Sequence, residues 1–273
     1  MKTKLAPGFH VAPGRAVDAS AYGQFVGQWS RFFVPLVLFA AGVQPGSRVL
    51  DVSTGTGEAA LAIMPVIGAS GRLIGSDIAP AMLESARARL NDSAFLPVAA
   101  DGQLLPFADG TFDIVVCQLG LQFFPKPDLG MAEFRRVLRS GGRTGICVIS
   151  TPDRAPMWGI LADVLGRFLP EQQSIVQLSF SLADPTRLEK LLISAGFREV
   201  RVERHSREGG FESFDEYWEP IQAGTGSIPQ IYLTLPGAGR RAVREEVKAK
   251  LAEFESGGRL RMSVEMLIGS GSA

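Results

Sequence analysis

The sequence has few of the residues that carry most metal and redox chemistry. It holds two cysteines, Cys117 and Cys147, and two histidines, His10 and His205. Two cysteines cannot make a disulfide framework, and there is no C-x-x-C or H-E-x-x-H from which to build a metal centre, so no metal is expected. Charge of one sign is also lacking, since 28 basic residues balance 28 acidic ones. A nucleic-acid binder usually carries a basic excess or stripe, so nucleic acid is not the expected partner. No apolar run reaches the roughly 18–20 residues that span a bilayer. The longest, Phe32–Val43, is shorter and holds Pro35. The N-terminus MKTKLAPGFH has lysines but no apolar stretch behind them, and does not read as a signal peptide. What is there, 46% hydrophobic and 21% charged residues, suits an ordinary globule. The expectation is a cytoplasmic protein, a monomer or homodimer, acting on a small molecule away from membranes.

The centre of the chain alternates short β-like and helix-like runs. Strands are expected at Arg48–Val52, Arg72–Asp77, Phe95–Ala99, Thr111–Cys117 and Thr144–Ser150, and helices at Thr56–Ile67, Ala81–Leu90 and Asp128–Arg139. This order, with short loops, argues for an α/β fold with a doubly wound parallel sheet. Further on, Asp184 caps a helix that Gly196 ends, Phe197–His205 alternates as a strand, Ala238–Glu255 is a long helix and Arg259–Ile268 a last strand. The tail GSGSA is expected to fray. The whole chain, 1–273, reads as one domain. Residues 44–150 form its core, and 184–206 with 258–269 complete the sheet. Residues 1–43, 151–183 and 207–257 hold most of the aromatics and are expected to form a helical lid over the sheet's open edge.

The run Val49-Leu50-Asp51-Val52-Ser53-Thr54-Gly55-Thr56-Gly57-Glu58 follows a strand and opens a helix. Ligands of open α/β sheets bind there, where glycines let the backbone approach and helix N–H groups face the ligand. Gly55 and Gly57 also satisfy a dinucleotide fingerprint, which alone is a weak signal. Asp51 at the strand end would repel a pyrophosphate but attract an ammonium, so a zwitterionic amino acid fits the loop better. Asp77 closes the second strand, where an acid can accept both hydroxyls of a ribose. Asp101 follows the third strand, placed to accept from an adenine amino group, and Ile78 and Leu104 are placed to sandwich the base.

These residues carry a resemblance. VLDVSTGTGEAAL resembles motif I of class I S-adenosylmethionine-dependent methyltransferases, and GSDIAPAML their second-strand motif. ADGQLLPFADGTFDIVV and EFRRVLRSGGR resemble the segments that lead into their fourth and fifth strands. The likeness points to the ubiquinone/menaquinone biosynthesis-like and natural-product methyltransferases. It implies a Rossmann-like seven-stranded sheet of order 3-2-1-4-5-7-6, with the seventh strand antiparallel. It implies S-adenosyl-L-methionine as cofactor, leaving S-adenosyl-L-homocysteine. The implied binding set runs from Asp51, Ser53, Thr54, Gly55 and Gly57 through Asp77, Ile78 and Met82 to Asp101, Gly102 and Gln103. Gln118 and Leu119 would line the methyl-donor pocket, and Tyr22 and Trp29 belong to an N-terminal helix that closes over the cofactor. One departure is Ser53, where the family often has Gly; adjusted loop geometry rather than lost binding is expected.

For the acceptor, Phe25, Gln122, Trp158 and Trp218 are candidate contacts. His10 is a candidate base in a Pro/Gly-rich lead-in, while His205 reads as a surface residue. No base dyad is visible, so proximity is expected to drive an in-line displacement on an O-, C- or N-nucleophile of a small molecule. Two rival readings remain at this level. One is a cofactor-binding fold repurposed for another reaction or for regulation. The other is an NAD(P)-dependent oxidoreductase, which would tolerate loss of Asp51.

Overall fold

The computed structural model describes residues 27–91, 94–224 and 226–273. Tyr22, Phe25 and His10 lie outside these residues. The sheet is built from β1 (Arg48–Val52), β2 (Arg72–Asp77), β3 (Phe95–Ala99), β4 (Phe112–Gln118), β5 (Leu138–Ile149), β6 (Arg198–Phe211), a two-residue β7 (Glu255–Ser256) and β8 (Arg259–Ser272). Its order is β3-β2-β1-β4-β5-β8-β6, with β7 hairpinned onto β8. Strands β1 to β5 pair in parallel, and β8 runs antiparallel between β5 and β6. The expected order is therefore present, its seventh strand being β8 because the short β7 intervenes. Winding reverses beside β1, which opens a crevice at the carboxyl ends of β1 and β4.

Helices α1 (Gln28–Ala41), α2 (Glu58–Ile67), α3 (Pro80–Leu90), α4 (Pro127–Val137), α5 (Pro156–Phe168), α6 (Gln173–Val176), α7 (Pro185–Ser194), α8 (Phe214–Gln222), α9 (Ser227–Tyr232) and α10 (Gly237–Leu251) cover the sheet. One face buries Phe33 and Val37 of α1, Ile63 and Ile67 of α2 and Leu161 and Leu165 of α5 in one apolar cluster. The other face buries Met131 and Phe134 of α4 with Leu188 and Leu192 of α7. Fully burying one such side chain is worth about 1.5–3 kcal/mol. Among the described residues no helix is long and apolar enough to cross a membrane.

Several boundaries differ from expectation, each for a packing reason. Helix α2 starts at Glu58, not Thr56, because Gly55 and Gly57 hold φ of 55° and 88° and keep the loop out of helical geometry. Strand β6 runs to Phe211, six residues past His205, because its last turns pair with Leu260–Glu265 of β8. The helical segment expected from 207 thus begins after 211. The tail is not frayed. β8 continues to Ser272, and Ala273 donates to the Gly142 carbonyl at 2.7 Å while its own carbonyl accepts from Gly141. Its glycines serve packing: a Cβ on Gly269 would stand 3.1 Å from Leu188, and one on Gly271 2.9 Å from Phe197.

Among the described lid aromatics, Phe32 and Phe39 are exposed, but most of the rest are core. Trp158 is 6% exposed and packs edge-on to Trp29 at 6.5 Å. Trp218 is 2% exposed, stacked on Phe214 at 5.6 Å and edge-on to Tyr232. Tyr217 is fully buried and donates its hydroxyl to the Met157 carbonyl at 2.8 Å, tying α8 to α5.

Candidate functional site

The carboxyl ends of β1, β2 and β4 surround a cleft with two lobes. The larger encloses about 730 Å³, part of it open to solvent, and is lined by Asp77, Ile78, Met82, Asp101, Gly102, Gln103 and the aromatic edge Phe123–Phe124–Pro125. The smaller, about 360 Å³, is lined by Gly27, Ser30, Asp51, Thr54, Thr56 and Glu58. Ser53, Gly55, Gln118 and Leu119 belong to both walls and form the neck between them.

Asp51 ends β1 and is fully buried. Its Oδ2 accepts from the Thr54 hydroxyl at 2.6 Å, and its Oδ1 has no partner. Burial pushes its carboxyl up to about 7, with the Thr54 bond pulling down and the nearby Asp77 charge adding to the rise. Asp77 ends β2, 8% exposed, and accepts from the Gly55 N–H on Oδ2 and the Ala79 N–H on Oδ1, both at 2.9 Å. Burial raises its carboxyl too, against the pull of these backbone bonds. A carboxylate has about four lone-pair sites, so these backbone bonds leave capacity for a ligand. Asp101 reaches the larger lobe, with its oxygens bonded to the Gln103 N–H at 2.9 Å and side-chain amide at 3.1 Å.

The neck is conformationally strained. Ser53 and Leu119 both hold a left-handed φ of 57°, rare for side-chain-bearing residues and concentrated at functional sites. Ser53 thus keeps the backbone that Gly would supply. Its side chain fits because Gly120 stands opposite, where any Cβ would lie 2.4 Å from the Ser53 Cβ. Gln118 donates from Nε2 toward the Ser30 carbonyl of α1 at 3.4 Å, and its buried Oε1 has no partner.

Of the sequence-derived candidates, Asp51, Ser53, Thr54, Gly55, Asp77, Ile78, Met82, Asp101, Gly102, Gln103, Gln118 and Leu119 line the cleft. Others do not. Trp29 points into the core, and its helix neighbours Gly27 and Ser30 face the smaller lobe instead. Leu104 is 77% exposed and does not face Ile78 across the cleft; Met82, Phe123 and Phe124 supply the apolar wall. Gln122 is 1% exposed, its Oε1 accepting from the Ile149 N–H at 3.2 Å, so it ties Leu121–Phe123 to β5. Trp158 and Trp218 are core residues away from the cleft. His205 sits on β6, 3.2 Å from Glu203.

Gly57 turns away from the cleft toward α3, where a Cβ would stand 2.9 Å from Leu90 and 3.3 Å from Ala86 at a φ of 88°. Gly57→Ala is therefore expected to cost roughly 2 kcal/mol, from a left-handed backbone and a tight contact. A thermal melt should show Tm lower by about 5 °C. An unchanged Tm would mean that α3 yields without cost.

Motif spacing missed two lobe residues on α2's approach. Thr56 is 1% exposed with a partnerless Oγ1, and Glu58 is an acid within the glycine motif itself. Besides Glu58 Oε1, which is ion-paired with Arg89, the buried partnerless atoms Asp51 Oδ1, Thr56 Oγ1 and Gln118 Oε1 belong to lining residues of the smaller lobe. Such atoms cost free energy unless a ligand completes them. Two of the three only accept, and the third can, which suits an ammonium donor and not a phosphate. The cleft thus fits an amino-acid end in the smaller lobe and a nucleoside in the larger.

The chain is similar to known methyltransferases. The profile of the ubiE/COQ5 methyltransferase family matches residues 26–211. The chain is 36% identical over 131 residues to a ubiquinone/menaquinone biosynthesis C-methyltransferase of Teredinibacter turnerae, covering 46% of this chain and 51% of that enzyme. It is 30% identical over 207 residues to the enzyme of the same name from Azotobacter vinelandii, covering 70% and 79%. The crystal structure of a candidate methyltransferase from Bacillus halodurans superposes with a TM-score of 0.61 at 22% identity, covering 88% and 97%, which is a likeness of fold.

Proposed function

We propose, for a chain that belongs to the ubiE/COQ5 methyltransferase family, that its S-adenosylmethionine-dependent transfer goes to a carbon of a small, ionisable enol or phenol. Methyl transfer from this cofactor to a small-molecule acceptor is the family's reaction; the acceptor atom is our inference. When bound, the cofactor supplies a methyl group on a sulfonium that is already activated toward displacement. Asp51 would hold the ammonium of its amino-acid end, with Gln118 and Thr56 as neighbouring acceptors, all three lining the smaller lobe. Asp77 would accept the ribose hydroxyls, and Ile78, Met82 and Phe124 of the larger lobe would enclose the base. The residues of the neck then fix the acceptor's approach. Such positioning can contribute up to roughly 7–11 kcal/mol.

One observation carries the choice of acceptor. Among the described residues, the titratable side chains lining the cleft are Asp51, Asp77, Asp101 and Glu58, each engaged by cofactor chemistry or by neighbouring protein groups. An enolate or phenolate already carries its nucleophilic charge and needs no base for the attack, so this observation supports the acceptor class, while the choice of carbon over oxygen rests on the relatives. The proton on the methylated carbon would then pass to water, since the lining carboxylates are already engaged. The 30% and 36% identical relatives are named C-methyltransferases, which supports the same atom. The test is incubation with methyl-13C-labelled cofactor and a panel of phenols, enols, alcohols and amines. A carbon-bound methyl resonance is expected with the phenols or enols. Label only on oxygen or nitrogen overturns the carbon assignment. Cofactor binding with no labelled product from any acceptor would favour the repurposed fold.

A further inference from the structure

A charged triad lies beside the smaller lobe. Glu58 follows directly on the glycine loop, opens α2 and is 9% exposed. Its Oε2 accepts from Arg31 Nε on α1 at 2.9 Å. Its Oε1 lies 2.8 Å from Arg89 Nη1 in the last turn of α3, and that same nitrogen donates to the Thr56 carbonyl at 2.7 Å. This leaves Oε1 in an ion pair but without a hydrogen bond. Gly27, just before α1, closes against the same carboxylate, where a Cβ would stand 2.8 Å from Oε1. One buried acid thus touches the glycine loop through Arg89, the N-terminal helix through Arg31, and that helix's first residues through Gly27.

An ion triad of one buried acid and two part-exposed arginines is weak evidence for stability, because solvent screening and desolvation of the acid offset most of the attraction. What the triad does supply is relative position. The elements it joins each give a wall to the smaller lobe: Gly27 and Ser30 from the N-terminal side, and Thr56 and Glu58 from the loop. A ligand that needs both walls binds more tightly when they are already held together.

We propose that Glu58 is a positioning residue that couples the glycine loop to the N-terminal helix, so that docking of α1 and capture of the cofactor's amino-acid end favour each other. Arg89 holds the loop side of this coupling and Arg31 the helix side. The inference rests on the cofactor reading of the cleft. It makes a distinction that a merely structural triad would not: ligands reaching the smaller lobe should feel it, and ligands confined to the larger lobe should not.

The experiment is calorimetric titration of the full chain with S-adenosylhomocysteine and, separately, with adenosine, which lacks the amino-acid end. Wild type, Arg31→Met, Glu58→Gln and the double variant are compared, with Tm recorded for each. Arg31→Met and Glu58→Gln should each raise the Kd for S-adenosylhomocysteine by about tenfold, and the double variant by much less than the product, a coupling of roughly fivefold. The Kd for adenosine should stay within about twofold of wild type, about 0.4 kcal/mol. Gly27→Ala should behave like Arg31→Met. An unchanged Kd for S-adenosylhomocysteine, a multiplicative double variant, or an equal loss for adenosine overturns the coupling. If Glu58→Gln does not fold, Arg31→Met and Arg31→Lys carry the test, since the Arg31 side chain is 58% exposed; an unchanged Kd in Arg31→Met is then enough to overturn it. Failure of the wild type to bind S-adenosylhomocysteine would instead sink the cofactor reading itself.

Discussion

Asp51→Asn is expected to weaken S-adenosylhomocysteine binding by about 100-fold or more while making the ligand-free protein more stable above neutral pH. Both effects come from one buried carboxylate with a partnerless oxygen. Removing one member of a buried ion pair costs about 3–5 kcal/mol, here charged to the ligand's ammonium. Without ligand the carboxylate is a burden, because burial holds its pKa at about 7 against an ordinary value of 3.8. The folded state then binds a proton more tightly than the unfolded chain. This group's contribution to stability is greatest below pH 3.8 and is lost as pH rises toward 7. The full loss is on the order of 4 kcal/mol. The Tm advantage of the Asn variant should therefore grow between about pH 4 and pH 7 and level off above. Binding runs the other way. The wild type should bind about tenfold more tightly per unit rise in pH below 7, flattening above, and the variant should show no such slope. A flat wild-type profile, or full affinity in the Asn variant, would remove Asp51 from the ammonium site.

Asp77→Ala should bring S-adenosylhomocysteine binding below detection and lower Tm as well. The substitution strands the part-buried N–H groups of Gly55 and Ala79, each now bonded at 2.9 Å. Leaving a buried donor unsatisfied costs about 1–3 kcal/mol. The Gly55 bond also shapes the glycine loop, so Asp77 acts on both the ribose and the loop. Asp77→Asn separates the two roles, since the amide keeps one acceptor oxygen for the backbone. A ligand lacking the ribose hydroxyls isolates the contact. Wild type should bind a 2′,3′-dideoxy analogue about 10- to 100-fold more weakly than the parent, from charge-assisted bonds of roughly 1.5–3 kcal/mol. In Asp77→Asn that difference should shrink to a few-fold, within the range of neutral hydrogen bonds of about 1 kcal/mol. An equal penalty in both proteins would place the hydroxyls on another group.

The positions of Asp51 and Asp77 were legible in the sequence because each closes a short β-branched or apolar run before a turn. The chemistry of a strand end depends on a handful of adjacent residues. Gly55 and Ser53 were legible for the same reason, as turn positions within one motif. Side chains whose role depends on a distant element were not. Trp29 carries a family likeness to a cofactor-closing helix, yet the face of α1 that meets Phe211 and Trp158 decides that its ring is core. Gly57 belongs to the motif by spacing, yet Ala86 and Leu90 on α3 decide which way it faces. Glu58 has no role in the sequence reading, and only the folded chain brings Arg31 and Arg89 to it from either side.

Local order thus belonged to the sequence alone: the alternation of strands and helices, the glycine loop, and the acids at the strand ends. Periodicity and turn preference act over a few residues and need no partner. The tertiary structure decided which face of each helix meets the cleft, which aromatics fill the core, and that the glycine-rich tail is a strand. Those outcomes depend on close packing between residues far apart in the chain, such as Gly269 against Leu188 and Gly120 against Ser53. No local pattern records a neighbour that only folding supplies.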